Sequence, residues 1–258
     1  MGFIYAIIII IANSIGAISG MGGGVIIKPL FDLINFHPLY AISFYSSVAV
    51  LTMSVISTYK QVKNGININW SNALLLSLGS VLGGITGNIA FDFLLHLFQS
   101  DKEVQLIQII LTVITLLFSY FYSVSHWKNY SLSNPLVLIL IGWFLGFLAS
   151  LLGIGGGPIN VAILMMLFSF PIKDATVYSI IIIFFSQLAK ILTIILGGSL
   201  VGYDLTMLYY IIPSAIIGGF LGASLSGRLP DSIVRHIYQG VIIFVLVVNL
   251  YNGWQLIF

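Results

Sequence analysis

The chain has 258 residues, 59% of them hydrophobic and only 6% charged, whereas a soluble domain carries roughly 25% charged residues. Too little polar surface remains to face water, and a net charge of +2 is too small and dispersed for nucleic-acid binding. Cysteine is absent, and His37, His96, His126 and His236 stand far apart without ligand spacing, so no metal or other cofactor is expected.

The run from Met1 to Ile18 lacks a positively charged leader and reads as a retained helix, not a cleaved signal. Apolar segments then follow one another almost without interruption, most of them about 17 residues or longer, the length that crosses roughly 30 Å of hydrocarbon. In the first part of the chain they fall at about 3–19, 21–36, 39–59, 71–98 and 104–124, bounded by Gly, Pro, Asn or charge. After a connecting stretch at 125–134 they resume at about 135–152, 154–170, 172–196, 204–227 and 233–254. The expected fold is an all-α integral membrane bundle of about 8–10 hydrophobic helices.

These segments form one unit written twice, residues 1–124 and 135–258. GMGGG at Gly20 to Gly24 returns as GIGGG at Gly153 to Gly157, an offset of 133 residues that also pairs Pro38 with Pro171, Tyr45 with Tyr178 and Ser46 with Ser179. The GGxxG of Gly83, Gly84 and Gly87 is answered by Gly218, Gly219 and Gly222. Each unit opens with a glycine-broken helix pair, either two thin crossings or a hairpin that enters and returns. If the glycine runs reverse the chain, Lys60, Lys63, Lys128, Lys173, Arg228 and Arg235 share one side and Lys102 alone takes the other. The positive-inside rule makes the crowded side cytoplasmic and puts both termini outside. An odd number of reversals per unit makes the repeats inverted, an architecture that places binding sites near the bilayer midplane.

At these glycine motifs, and at AISFYSSVAV and ATVYSIIIIF beyond them, the chain resembles the sulfite exporter family of the TauE/SafE type, also called the toluenesulfonate uptake permease family. GININW at Gly65 to Trp70, GGSLVGYD ending at Asp204, GGITG, GGFLG and GRLPDSIVRHIYQGVIIF extend the resemblance over nearly the whole chain. Where the family often has Gly-Thr-Ser, this chain has Phe44-Tyr45-Ser46 and Val177-Tyr178-Ser179. The resemblance implies a secondary transporter of sulfite, sulfonates or related organosulfur or carboxylate anions in a prokaryotic-type cell membrane, not an enzyme. Its partners would be the anion, the lipid bilayer and a coupling ion, proton or sodium, with a homo-oligomer left open. An anion channel is the main alternative, followed by a membrane enzyme or a structural subunit.

The candidate substrate-binding residues follow from the same motifs. Gly22, Gly23, Gly24, Gly155, Gly156 and Gly157 let backbone N–H groups converge at a helix start, which binds anions without a cationic side chain; the alternative is close helix packing. Ser46 and Ser179 lie at a similar depth and either donate to the anion or back-bond to their own helices. Tyr45 and Tyr178 are phenolic donors or packing residues. Asn160 stands in the first turn after the second glycine run, and Gln187, beside Ser186, extends a polar path toward Lys190. Lys28 and Lys190 are the cations inside apolar segments: Lys28 pairs with Asp32 one turn on or serves as counter-charge, and Lys190 reaches the outer interface or faces the site. Asp92 is a partner for a lysine or a proton-linked group.

Overall fold

The computed structural model describes residues 1–63, 68–125 and 127–258, so residues 65–67 of the GININW turn and His126 lie outside it. Ten α-helices follow in order: α1 Gly2–Ser19, α2 Gly24–Ile34, α3 Leu39–Lys63, α4 Trp70–Phe98, α5 Asp101–Val124, α6 Pro135–Leu151, α7 Pro158–Phe168, α8 Ile172–Leu196, α9 Leu208–Ser226 and α10 Asp231–Ile257. Two 3-10 turns, Ser199–Gly202 and Leu205–Met207, lead into α9, and no strand occurs among the described residues. Among the described residues seven helices are long and apolar enough to span a membrane: α1, α3, α4, α5, α8, α9 with its preceding turn, and α10.

Local chemistry explains where the helices depart from the sequence expectation. Asn35 and Ser169 adopt left-handed conformations that end α2 and α7 before 36 and 170. Asp204 holds the chain in a 3-10 turn by accepting from the Thr206 N–H at 3.0 Å, so α9 starts four residues late. Asp101 and Glu103 fill the first turn of α5, where the helix dipole favours acids, and the helix begins earlier than 104.

At 11 residues each, α2 and α7 rise only about 16 Å and cannot cross. Each folds back along the helix before it. Tyr5 of α1 stacks on Phe31 of α2 with ring centroids 3.7 Å apart, and its hydroxyl hydrogen-bonds His37 Nδ1 at 3.0 Å. In the second half the Tyr130 and Leu132 N–H groups, ahead of α6, donate to the carbonyls of Met166 and Leu167 at 2.7 and 3.0 Å. Each opening pair is therefore a hairpin that returns to the end where it entered.

Contacts fix the ends of the bundle. At one, the Leu39 N–H donates to Asp101 (3.2 Å) and the Tyr40 hydroxyl to the Gly202 carbonyl (3.0 Å). At the other, the Asn69 N–H donates to the Tyr178 hydroxyl (2.8 Å), and Lys173 pairs with Asp231 (3.7 Å). Consequently α3 and α8, which pack on each other, run in opposite directions. Neighbours also exchange between halves: α1 packs on α9 as α6 packs on α4, α3 on α9 as α8 on α4, and α2 on α10 as α7 on α5. Large apolar side chains such as Phe3, Leu78, Ile114 and Val247 point outward, as lipid-facing positions require. The protein is a multi-pass integral membrane protein.

The GGxxG glycines make the exchanged contacts close. A Cβ on Gly83 or Gly87 would overlap the carbonyls of Trp143 or Phe147 on α6, while one on Gly218 or Gly222 would run into those of Ile10 or Ser14 on α1. Gly83→Val is therefore expected to lower stability by about 1–3 kcal/mol through overpacking. Gly240→Val, at a position with nothing within 4 Å, should leave thermal unfolding in detergent nearly unchanged; equal melting temperatures for the two variants would refute the backbone contact.

Candidate functional site

The two glycine turns meet at the centre of the bundle. In the first, Gly20 and Gly22 have φ of +73°; in the second, Gly153, Gly155 and Gly156 have φ of +66°, +67° and +134°. These conformations favour glycine and release the chain from each helix so that it can double back. A Cβ on Gly22 would lie 3.6 Å from the Gly155 carbonyl oxygen, and one on Gly24 would overlap the Ile154 carbonyl. Val50 of α3 and Ile183 of α8, also 133 residues apart, fill the space in front. Val50 lies 2.8 Å from the Cβ position of Gly155, and Ile183 lies 2.5 Å from that of Gly156. Each stands 11 residues inside its helix, roughly 16 Å deep and so near mid-membrane.

Both turns end at helix starts whose donors are free. Among the described residues no acceptor is in place for the N–H groups of Gly22, Gly23, Gly24, Gly156 or Gly157, and all five glycines are buried. Buried backbone donors are ordinarily paired, and unpaired ones at a helix N-terminus form an anion-binding arrangement. Side chains around them repeat the pattern. Asn160, 1% exposed, has neither amide atom bonded, and its Nδ2 is 3.4 Å from the Cβ position of Gly156. Asn13 Oδ1, against Gly23, is likewise buried without a partner, and so, elsewhere in the interior, are Ser46 Oγ, Ser150 Oγ and Gln187 Oε1.

Other candidates have structural employment. Ser179 donates to the Gly20 carbonyl at 2.5 Å, tying α8 to the first turn. Tyr45 donates to the Asp204 carbonyl at 3.0 Å, and Tyr178 accepts from the Asn69 N–H at 2.8 Å. The two tyrosines are thus equivalent struts, each bracing its helix to the chain that leads into the fourth helix of the other half, away from the glycines. Near Tyr45, burial draws His37 below its ordinary pKa against the pull of Asp204, while hydrogen bonding from Thr206 holds the Asp204 carboxyl below the usual range.

Both buried lysines converge on the second turn. Lys28 pairs with Asp32 at 2.7 Å, and its Cε lies 3.2 Å from the Cβ position of Gly153. Lys190 does not extend to the outer interface, as its distance along α8 suggests. It is 1% exposed and donates to Ser43 Oγ at 2.7 Å and to the Ser150 carbonyl at 3.2 Å, with the Phe91 ring centroid 5.7 Å away. The carbonyl lies in the last turn of α6 and also accepts the Gly153 N–H at 3.2 Å, so the amine is tied to the start of the second glycine turn. No carboxylate among the described residues lies within 4.0 Å of Lys190, and Asp92 is held by Asn88 at 3.1 Å. Asn13, Ser43 and Ser150 complete the surroundings and were not singled out in the sequence. Asn13 alone carried a signal, as an amide within an otherwise apolar run. Among the described residues no group of three or more His, Asp or Glu is placed to hold a metal.

The sequence pattern of the family described as Sulfite exporter TauE/SafE matches residues 5–250. The chain belongs to that family. It is 25% identical to the probable membrane transporter protein YunE of Bacillus subtilis over 98% of this chain and 99% of that protein. It is 24% identical to a probable membrane transporter protein of Methanocaldococcus jannaschii over 80% of this chain and 77% of that one. A third similarity, 30% identity to the probable membrane transporter protein MamO of Magnetospirillum gryphiswaldense, covers 41% of the chain and only 17% of MamO. The TauE/SafE protein described here thus belongs to a transporter family along its whole bundle.

The paired serines separate structure from ligand binding. Ser179→Ala removes a buried hydrogen bond and is expected to lower unfolding stability by about 1 kcal/mol. Ser46→Ala removes an unpartnered hydroxyl and should be neutral or slightly stabilising in thermal unfolding without substrate. The reverse ranking would show that Ser46 has a structural partner.

Proposed function

We propose that this TauE/SafE protein is a secondary transporter that carries a small anion, such as sulfite, a sulfonate or another organosulfur or carboxylate anion, by alternating access. The observation that carries this reading is the pair of buried helix starts with free N–H donors, meeting at mid-depth beside the unpartnered amide of Asn160. Each helix start presents roughly half a positive charge. In a low-dielectric interior an anion supplies the missing acceptors, and water is a poor substitute for its charge. Lys190, held next to the second turn without a carboxylate, adds a full charge when protonated. Lys28 contributes less because Asp32 already neutralises it. The family description, Sulfite exporter TauE/SafE, is what suggests the sulfur-oxyanion class.

The reading of alternating access is supported by where the parts come from. The turns, with Val50 and Ile183, belong to two halves that we read as inverted copies, residues 1–124 and 135–258. Because packing is exchanged between the halves, the bodies that rock are α1, α3 and α9 on one side and α4, α6 and α8 on the other; their relative motion withdraws Val50 or Ile183 from the turns toward one side at a time. The end carrying Lys60, Lys63, Lys128, Lys173, Arg228 and Arg235 is read as cytoplasmic, with Met1 and Phe258 outside. A cysteine introduced at 128 should resist impermeant reagent in intact cells and react after lysis, while one at 254 should react in both; the opposite pattern overturns the orientation.

The site itself is tested by anion uptake and anion-dependent thermal stabilisation in proteoliposomes, with sulfite, sulfate, thiosulfate, sulfonates and short carboxylates as probes. Asn160→Ala and Lys190→Met are expected to keep the fold but weaken anion binding about tenfold or more, since a hydrogen bond to a charged group contributes roughly 1.5–3 kcal/mol. Lys28→Met alone strands a buried carboxylate and should destabilise the fold by about 3–5 kcal/mol. The double change Lys28→Met/Asp32→Leu removes both charges and should retain most transport. Unchanged anion affinity in both Asn160→Ala and Lys190→Met would exclude the helix-end site.

A further inference from the structure

The basic end of the bundle carries a second site, independent of the glycine turns. Between the end of α3 and the end of α9 lies a cleft of about 540 Å³ in which Lys60, Arg228 and Ser224 meet. The Ser224 hydroxyl is buried there without a partner. Lys60 Nζ sits 5.2 Å above the centroid of the Phe220 ring, which belongs to the wall of the cleft. No carboxylate among the described residues lies within 4.0 Å of Lys60, Lys63 or Arg228, and residues 64–67 of the adjoining loop contain no acid. The ends of α3 and α9 contribute about half a negative charge each. Against three cations this leaves a surplus of roughly two positive charges.

The cleft does not stop at the membrane surface. It shares Lys60, Phe220 and Leu221 with an apolar groove of about 510 Å³ that runs up the α3–α9 seam past Ile56 to Ile216 and Ile217. From Arg228 to Ile216 is 12 residues, about 18 Å of helix, somewhat more than the roughly 15 Å hydrocarbon depth of a single leaflet. A cationic head pocket with an unpartnered hydroxyl, opening at the interface onto a lipid-facing apolar groove one leaflet deep, matches one class of molecule in both charge and length.

We propose that this seam binds one anionic phospholipid, its phosphate held by Lys60, Arg228 and the Ser224 hydroxyl and one acyl chain laid along Phe220 toward Ile217. Basic pockets between membrane helices hold anionic headgroups by the same combination of charge and burial. A free anion on its way to the transport site would use the charges but not the groove.

The test uses the detergent-purified full chain, with phosphatidylglycerol, phosphatidylcholine and inorganic phosphate as probes, read by native mass spectrometry and thermal unfolding. Phosphatidylglycerol should be retained and raise the unfolding temperature, and phosphatidylcholine should do so much less. Lys60→Gln/Arg228→Gln should weaken phosphatidylglycerol binding by about thirtyfold, roughly fivefold per lost charge, whereas Lys128→Gln, at the same end but outside the seam, should not. Ile217→Trp keeps the charges and fills the groove, and should also lower retention. Equal effects of the two lipids, binding that survives the double charge change, or full stabilisation by inorganic phosphate alone would each overturn the proposal.

Discussion

In hydrocarbon an unpaired backbone amide has no water to turn to, and each such group costs several kcal/mol. Nearly every residue of this bundle meets that constraint by being helical. The glycine turns are the exception: they open the backbone deep in the bundle and leave several N–H groups without acceptors among the described residues. The surrounding structure is arranged around that opening. The hairpins α1–α2 and α6–α7 bring the turns to mid-membrane, the long helices α3 and α8 close over them with Val50 and Ile183, and α4, α9, α5 and α10 exclude lipid from the sides.

The repeated motifs recur as repeated contacts, and the ionisable and amide groups depart from the repeat. Thr176 packs on Gly20 as Ser43 packs on Gly153, and Ser186 receives Gly84 as Met53 receives Gly219. The ionisable and amide groups break the pattern. At the offset of 133, Lys28 faces Val161, Asp32 faces Met165, Asn160 faces Ile27 and Lys190 faces Ser57. Lys28, Lys190 and Asn160 all gather at the second turn, although Lys28 comes from the first half. The first turn keeps the backbone arrangement and has Asn13 for company. The proposed binding centre, with its side chains gathered at the second turn, thus has unequal surroundings on its two sides.

Much of the fold was legible because a lipid-facing helix leaves its mark residue by residue: the long apolar runs place α3, α4, α8 and α10 within a few residues. The glycine motifs marked where the backbone leaves the helical conformation, because repeated glycines are where positive-φ turns form. What the sequence did not carry was direction. Tyr45 and Tyr178 occupy the motif yet point toward Asp204 and Asn69, because a phenol is long enough to reach chain far away in sequence. Lys190 lies where helical rise suggests a membrane face, but the neighbours that turn it inward, Ser43 and the Ser150 carbonyl, are 147 and 40 residues away. Partners at such separations leave no periodic trace, so the depth of a residue was readable and its orientation was not.

The exchanged packing of the halves bears on how the molecule is made. Helix α1 finds its closest partner in α9, where Gly218 and Gly222 press against the carbonyls of Ile10 and Ser14. During synthesis α1 enters the bilayer long before α9 exists, and Asn13 must wait there for Ala49 to accept its amide. Helix α4, by contrast, receives α6 soon after its own insertion. In order of synthesis the α4–α6 seam is therefore available as soon as α6 is made, whereas the α1–α9 seam, joining the oldest segment to one of the newest, must wait for α9. A nascent chain interrupted between α6 and α9 already holds a second glycine turn but has α1 bare along the face that Gly218 and Gly222 later cover.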